Sequence, residues 1–216
     1  MGGHLAIFDL DGTLIDSRLD LAHSVNATRA NSGLGPLPCD QIYSFVGQGA
    51  PVLIRRSLGP DASDEEVRGG LEFFIDYYRR HALDNTVLYP GVGESLERLK
   101  SAGEHLAVLT NKPVRISRTI LDGLGLGNTF FRVYGGNSFE HKKPNRIGID
   151  TLRAEVNADA RVTWMVGDSY VDVQTAQNAG VLSCGVSYGF QPETFHEFPP
   201  DLLVERLEQF ADRLSS

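Results

Sequence analysis

The sequence predicts an α/β protein: a parallel sheet covered by helices on both faces, with an all-helical segment inserted after the first strand. Three observations carry this. Short apolar runs alternate with helical periodicities from residue 88 onward. Residues 16–87 show helical periodicity and no convincing strand. Several of the apolar runs stop abruptly at polar residues, the pattern of buried strands that end at one functional edge.

The first run, His4-Leu5-Ala6-Ile7-Phe8, stops at Asp9-Leu10-Asp11-Gly12-Thr13-Leu14. Its length and apolar character fit a strand buried on both faces, with Asp9 and Asp11 at its C-terminal end on the same side of the chain. Two carboxylates that close repel, and a divalent cation or a shared proton is the usual remedy. An acidic turn is the plainer alternative. A calcium loop lacks its later oxygen ligands and closing Glu. Gly12 would allow close backbone approach, and Thr13 would bond to the local turn.

The insert follows. Arg18 to Gly33 reads as a helix with Leu21, Ala22, Val25 and Ala30 near one face, broken by Gly33-Leu34-Gly35-Pro36-Leu37-Pro38. Shorter helices are expected over Asp40 to Phe45 and Pro51 to Leu58, on either side of Val46-Gly47-Gln48-Gly49. Those glycines fit a substrate loop or a simple boundary between two helices. Ser63-Asp64-Glu65-Glu66 has the form of a capping box, and Val67, Leu71, Phe74, Ile75 and Tyr78 form one stripe behind it. Phe73, Phe74, Tyr77 and Tyr78 are assigned to the core of this segment. One helical face can turn only one of Arg55 and Arg56 inward.

After Tyr89-Pro90-Gly91 the alternation begins. Helix is expected around Val92, Leu96 and Leu99, strand from His105 to Thr110, helix through Ile116, Ile120 and Leu124, and a short strand from Phe131 to Tyr134. Arg146 to Glu155 reads as helix, Val162 to Val166 as strand ending in Gly167-Asp168, and Ser169 to Ala179 as helix stopped by Gly180. Leu182 to Val186 is strand, and a last helix lies near Glu205 to Leu214. The domains are therefore a core over 1–15 and 88–216 and a helical cap over 16–87.

Composition narrows the function classes. In 216 residues, 41% hydrophobic and 22% charged content are ordinary for a globular chain with one sizeable core. A net charge of −8 disfavours nucleic acid or an anionic membrane as partner. Cys39 and Cys184 are far apart, form no CxxC pair, and read as free, mostly buried thiols of a reducing compartment. With no signal-like N-terminus and no run of eighteen apolar residues, a cytoplasmic location is expected. The six histidines show no metal-ligand spacing. Monomer and dimer stay equally open.

In a parallel sheet the ends of different strands share one edge. Asp9 and Asp11, Thr110 and Asn111, and Asp168 would meet there, with Lys143 from the loop Lys142-Lys143-Pro144. Lys142 is expected to be solvated. This set offers carboxylates for a metal, donors for an anion and one fixed cation, and it lacks the thiolates and histidines of structural zinc.

Four stretches in order, Asp9-Leu10-Asp11-Gly12-Thr13, Thr110-Asn111, Lys143-Pro144 and Gly167-Asp168-Ser169-Tyr170-Val171-Asp172, resemble the haloacid dehalogenase superfamily in its phosphatase branch. The resemblance covers nearly the whole chain, including the cap, and implies a Rossmann-like core. Val46-Gly47-Gln48-Gly49-Ala50 and Gly135-Gly136 are similar to phosphoglycolate phosphatases and related small phosphomonoesterases. The resemblance implies Asp9 as a nucleophile that takes up a phosphoryl group, and Asp11 as the acid and then the base. It implies Mg²⁺ held by the carboxylates of Asp9 and Asp168 and the backbone carbonyl of Asp11.

Thr110, Asn111 and Lys143 would then hold the phosphate, and Asp172 would orient Lys143 or a metal-bound water. Gly47, Gln48 and Gly49 become candidates for reading the leaving group. The substrate implied is a small phosphorylated metabolite. A phosphomutase resembling β-phosphoglucomutase, or a non-catalytic phosphate-binding module, would use many of the same residues.

Overall fold

The computed structural model describes residues 4–215, so residues 1–3 and 216 of the expected core lie outside the described residues. Strand β1 (Leu5–Phe8) is followed by β2 (Ile15–Asp16) and four helices, α1 (Arg18–Asn31), α2 (Cys39–Tyr43), α3 (Ala50–Leu58) and α4 (Asp64–His81). The chain continues through β3 (Val87–Leu88), α5 (Val92–Ser101), β4 (His105–Leu109), α6 (Val114–Gly123), β5 (Arg132–Tyr134) and α7 (Ile147–Val156). It ends with β6 (Thr163–Gly167), α8 (Tyr170–Ala179), β7 (Leu182–Val186), β8 (Leu202–Val204) and α9 (Leu207–Leu214).

Six strands form one sheet in the order β5-β4-β1-β6-β7-β8, and every pair is parallel. The period-two geometry of β1 divides the core. Leu5 and Ile7 pack with Ile149, Leu152 and Ala176 of α7 and α8. Ala6 and Phe8 pack with Leu96, Ile116 and Phe210 of α5, α6 and α9. Both faces of the sheet are thus sealed, as a run of four fully buried residues requires.

Register sets the functional edge. Phe8 lies opposite Val108 on one side and Val166 on the other. The chains that leave these three strands therefore carry Asp9, Thr110 and Asp168 to the same rim.

The insert packs as expected, with α1 and α3 against α4. The capping box is present: Ser63 N donates to Glu66 Oε2 at 2.8 Å and Glu66 N to Ser63 Oγ at 3.2 Å. Gly70 lets α4 approach closely, because a Cβ there would lie 2.9 Å from Leu58 Cδ1.

Three expectations are corrected. The ends of the insert are not purely helical, since β2 and β3 pair antiparallel, Ile15 with Leu88 and Asp16 with Val87. Cys39 is exposed at the start of α2, where burial was expected, whereas Cys184 is buried on β7. Phe73 and Tyr77 are half-buried and stack on each other, so only Phe74 and Tyr78 of that quartet belong to the core. The three-residue strand β8 is additional; periodicity cannot signal an element so short.

Buried Asp20 clasps the base of the insert. Its carboxylate accepts from the backbone N–H of Asn85 (3.0 Å) and Thr86 (2.8 Å), from Asn85 Nδ2 (2.8 Å) and from Thr86 Oγ1 (2.7 Å). Among the described residues no helix is long and apolar enough to cross a membrane.

Candidate active site

Asp9 follows β1 directly, and its backbone N–H continues the ladder to Val166 O at 2.9 Å, so its position is set by the sheet. The chain then turns back, with Gly12 N donating to Ile15 O and Leu14 N to Leu10 O, both at 2.9 Å. Gly12 has φ of 80°, and a Cβ there would lie 2.2 Å from Asp168 Oδ2. Glycine is required on both counts. The Thr13 hydroxyl, expected to bond within the turn, is buried with no hydrogen-bond partner among the described residues.

Asp168 follows β6 and is buried, with its Oδ2 accepting from Phe190 N at 2.7 Å. Asp172, in the first turn of α8, divides its oxygens. Oδ2 accepts from Ser169 N (3.2 Å) and Ser169 Oγ (3.0 Å), capping the helix, while Oδ1 takes the Lys143 ammonium at 2.6 Å. Lys143 Nζ also lies 2.9 Å from Asp9 Oδ1. The pairing lacks hydrogen-bond geometry, so this buried Asp9 oxygen receives no hydrogen bond.

One oxygen from each of Asp9, Asp168 and Asp172 lies within 4.8 Å of the others. Crowding shifts these acids. Burial, reinforced by Asp172 and Asp11 and opposed by Lys143, pushes Asp9 up to about 6. Burial, with Asp172 and Asp9 adding to it, holds Asp168 well above the ordinary carboxylate range. Burial lowers the Lys143 ammonium, but Asp172 and Asp9 outweigh it and the net shift is upward. A single lysine against three carboxylates, with one carboxylate oxygen orphaned, leaves negative charge uncompensated. An all-oxygen set of this kind fits a hard divalent cation.

Thr110 follows β4 and is buried, its Oγ1 accepting from Lys112 N at 3.3 Å. Asn111 uses its side chain differently from the expected phosphate role: Nδ2 donates to Gly47 O (3.0 Å) and Lys143 O (3.1 Å), tying the insert and the lysine loop to the sheet. Its backbone N–H has no acceptor among the described residues and remains available to an anion.

Gly47, Gln48 and Gly49 form the loop that docks on this rim. Gln48 Nε2 donates to Tyr170 OH at 2.7 Å, and Gln191 Nε2 to Val46 O at 2.9 Å. Lys142, expected to be solvated, donates from Nζ to Gln48 O at 2.5 Å. Arg55 is committed to Ala62 O and Asp64, and Arg56 to Gln48 Oε1, so neither points at the site.

Sequence reasoning missed Lys112, Ser17 and Tyr78. Asp11 is not part of the acidic cluster through its side chain. Its Oδ1 lies 2.7 Å and its Oδ2 3.0 Å from Lys112 Nζ, and Ser17 Oγ donates to Oδ1 at 2.5 Å. Lys112 Nζ also donates to Tyr78 OH at 2.7 Å. Burial lowers the Lys112 ammonium, but Asp11 and Tyr78 outweigh it, and burial pushes the Tyr78 hydroxyl up to about 12. Lys112 was legible as the third residue of Thr110-Asn111-Lys112. Tyr78 was concealed because its ring does belong to the apolar stripe. A cavity of about 50 Å³ opens between these groups, bounded by Asp9, Asp11, Thr110 and Lys112 on the sheet side and by Val46, Phe74 and Tyr78 on the other.

Known proteins carry the same framework. The haloacid dehalogenase-like hydrolase family matches residues 6–186. A phosphoglycolate phosphatase of Agrobacterium fabrum is 37% identical over 204 residues, covering 93% of this chain and 88% of the relative. One from Vibrio vulnificus is 37% identical over 215 residues, covering 96% and 94%. Among solved structures, one described as a predicted phosphoglycolate phosphatase from Haemophilus somnus superposes with a TM-score of 0.92 at 30% identity, covering 98% of this chain and 97% of that one.

Proposed function

Since the chain belongs to the haloacid dehalogenase-like hydrolase family, we propose that it is a phosphatase that cleaves the phosphomonoester of a small metabolite through a phosphorylated Asp9. The observation that carries this reading is the convergence of Asp9, Asp168 and Asp172 on one lysine with charge left over. Asp9, Asp168 and the backbone carbonyl of Asp11 would hold Mg²⁺. When bound, that ion offsets the acidic cluster and polarises a phosphoryl oxygen.

An Asp9 carboxylate oxygen attacks phosphorus, and the ester bond to the leaving oxygen breaks. Asp11 gives that oxygen a proton, then takes one from the water that frees the phosphate and restores Asp9. The backbone N–H of Asn111, the Thr110 hydroxyl and the Lys143 ammonium bind the phosphoryl oxygens. The helical insert keeps bulk water from the aspartyl phosphate, with hinges at residues 14–17 and 87–90. The names of the relatives support 2-phosphoglycolate as the leading substrate.

The test is a phosphate-release screen of phosphorylated metabolites with Mg²⁺, run in parallel on Asp9→Asn. Turnover by the wild type alone supports the reading. Equal, near-zero release from both across the panel favours a phosphate-binding module, and isomerised sugar phosphate without release favours a mutase.

A further inference from the structure

The phosphoryl reading uses Asp9, Asp11, Thr110, Asn111 and Lys143, and it leaves one buried cation over. Lys112 lines the cavity, is buried, and points away from the acidic cluster toward the helical insert. Its ammonium meets three separate pieces of chain: Asp11 after β1, its own segment after β4, and Tyr78 of α4. The ammonium also sits 4.5 Å from the centre of the Tyr78 ring. The Tyr78 hydroxyl accepts from Lys112, and its own proton has no acceptor among the described residues. A lysine and a phenol with a spare donor thus face one small space whose other walls on that side, Val46 and Phe74, are apolar.

Desolvating an ammonium is costly, and an apolar pocket that retains one selects for anions. The phosphoryl group is not that anion, because Lys143 and the Thr110–Asn111 edge hold it on the far side of Asp9. Space is tight. On the scale where one water needs about 10–15 Å³, a cavity of about 50 Å³ takes only a few heavy atoms beyond the ester oxygen.

We propose that Lys112 and the Tyr78 hydroxyl form the docking point for a carboxylate carried by the leaving group, which takes the place of Asp11 on the ammonium. This rests on the phosphatase reading and deepens it. In the free protein the Asp11 carboxylate is held by Lys112 and Ser17, turned away from the nucleophile. A substrate carboxylate that pairs with Lys112 keeps the buried ammonium neutralised and releases Asp11 to face the bridging oxygen. A neutral leaving group gives Lys112 no substitute partner, and Asp11 stays held. Leaving-group selection and placement of the proton-transferring group are then one event. Tyr78 lies on the insert, so the same contact brings α4 onto the substrate.

The experiment compares 2-phosphoglycolate with 2-hydroxyethyl phosphate, nearly the same size but lacking the carboxylate, in wild type, Lys112→Met and Tyr78→Phe. Wild type is expected to favour phosphoglycolate in kcat/KM by at least about tenfold, the scale of a charge-assisted contact. Lys112→Met should remove that preference by raising KM for phosphoglycolate, and Tyr78→Phe should reduce it in part. Melting curves check that each variant is folded. If Lys112→Met does not fold, competitive inhibition of the wild type by glycolate, with none by ethylene glycol at equal concentration, supports the docking point.

A preference unchanged in folded Lys112→Met, a wild type that turns over both esters equally, or glycolate and ethylene glycol alike without effect overturns the proposal and leaves the phosphatase reading standing. A wild type that releases phosphate from no ester removes both.

Discussion

Lys143 Nζ sits 2.9 Å from Asp9 Oδ1, yet that oxygen receives no hydrogen bond. The ammonium is turned to Asp172 at 2.6 Å and serves Asp9 as a nearby charge. A carboxylate oxygen left without a donor is poorly solvated and exposed to an electrophile. Removing the lysine leaves two buried carboxylates without their counter-charge. Lys143→Met should therefore cost about 3–5 kcal/mol in urea unfolding, with part of the loss recovered in Mg²⁺. A cost within experimental error of zero would show that the pair is already neutralised by protons.

The two aspartates at the end of β1 should separate by role. Asp9→Asn should lower kcat by about 10⁴-fold or more, as loss of a nucleophile does. Asp11→Asn should lower it by about 10²–10⁴-fold, the range of general acid–base help. Rapid quenching followed by intact-protein mass measurement should detect a phosphorylated chain in the wild type and none in Asp9→Asn.

The metal-free protein should lose stability as pH rises from the ordinary carboxylate range to about 6. In that window the folded Asp9 still holds a proton that the unfolded chain has released, so folding takes up protons and is weakened by their removal. Asp168 shifts in the same direction and extends the effect. Above the window the acidic cluster is ionised and a cation gains most. Mg²⁺ should thus raise Tm more at about pH 7.5 than at about pH 5. An equal rise at both would argue against binding at these carboxylates.

Asp20 tests the junction between insert and sheet. Its carboxylate satisfies four donors on Asn85 and Thr86, and Asp20→Ala strands them in a buried setting. A loss of about 3 kcal/mol is expected. Limited proteolysis should show faster cleavage around residues 82–86, with no change within β1 or β6.

Much of this was legible in the chain because the phosphoryl-handling residues stand where an apolar run stops. Asp9, Thr110 and Asp168 each follow a buried strand, and parallel register brings such ends together without further information. The family resemblance drawn from those motifs agrees with the family match over residues 6–186. What stayed hidden depends on side-chain direction across long separations. The commitment of Asp11 to Lys112 joins residues 101 apart, and Lys142 reaches Gln48 over 94. Tyr78 obeys the helical stripe completely, and only its hydroxyl, at the end of an otherwise apolar ring, enters the polar site. The β2–β3 ribbon, two residues a side, carries no periodicity to read.

That ribbon has a consequence for how such a protein can change. Because Asp16 pairs with Val87, the polypeptide departs from the phosphate-handling layer and rejoins it through adjacent positions. A different lid grafted between those two points would leave the strand ends bearing Asp9, Thr110 and Asp168 undisturbed. New substrates can be acquired by exchanging one contiguous block, while the half of the molecule that attacks phosphorus is inherited intact.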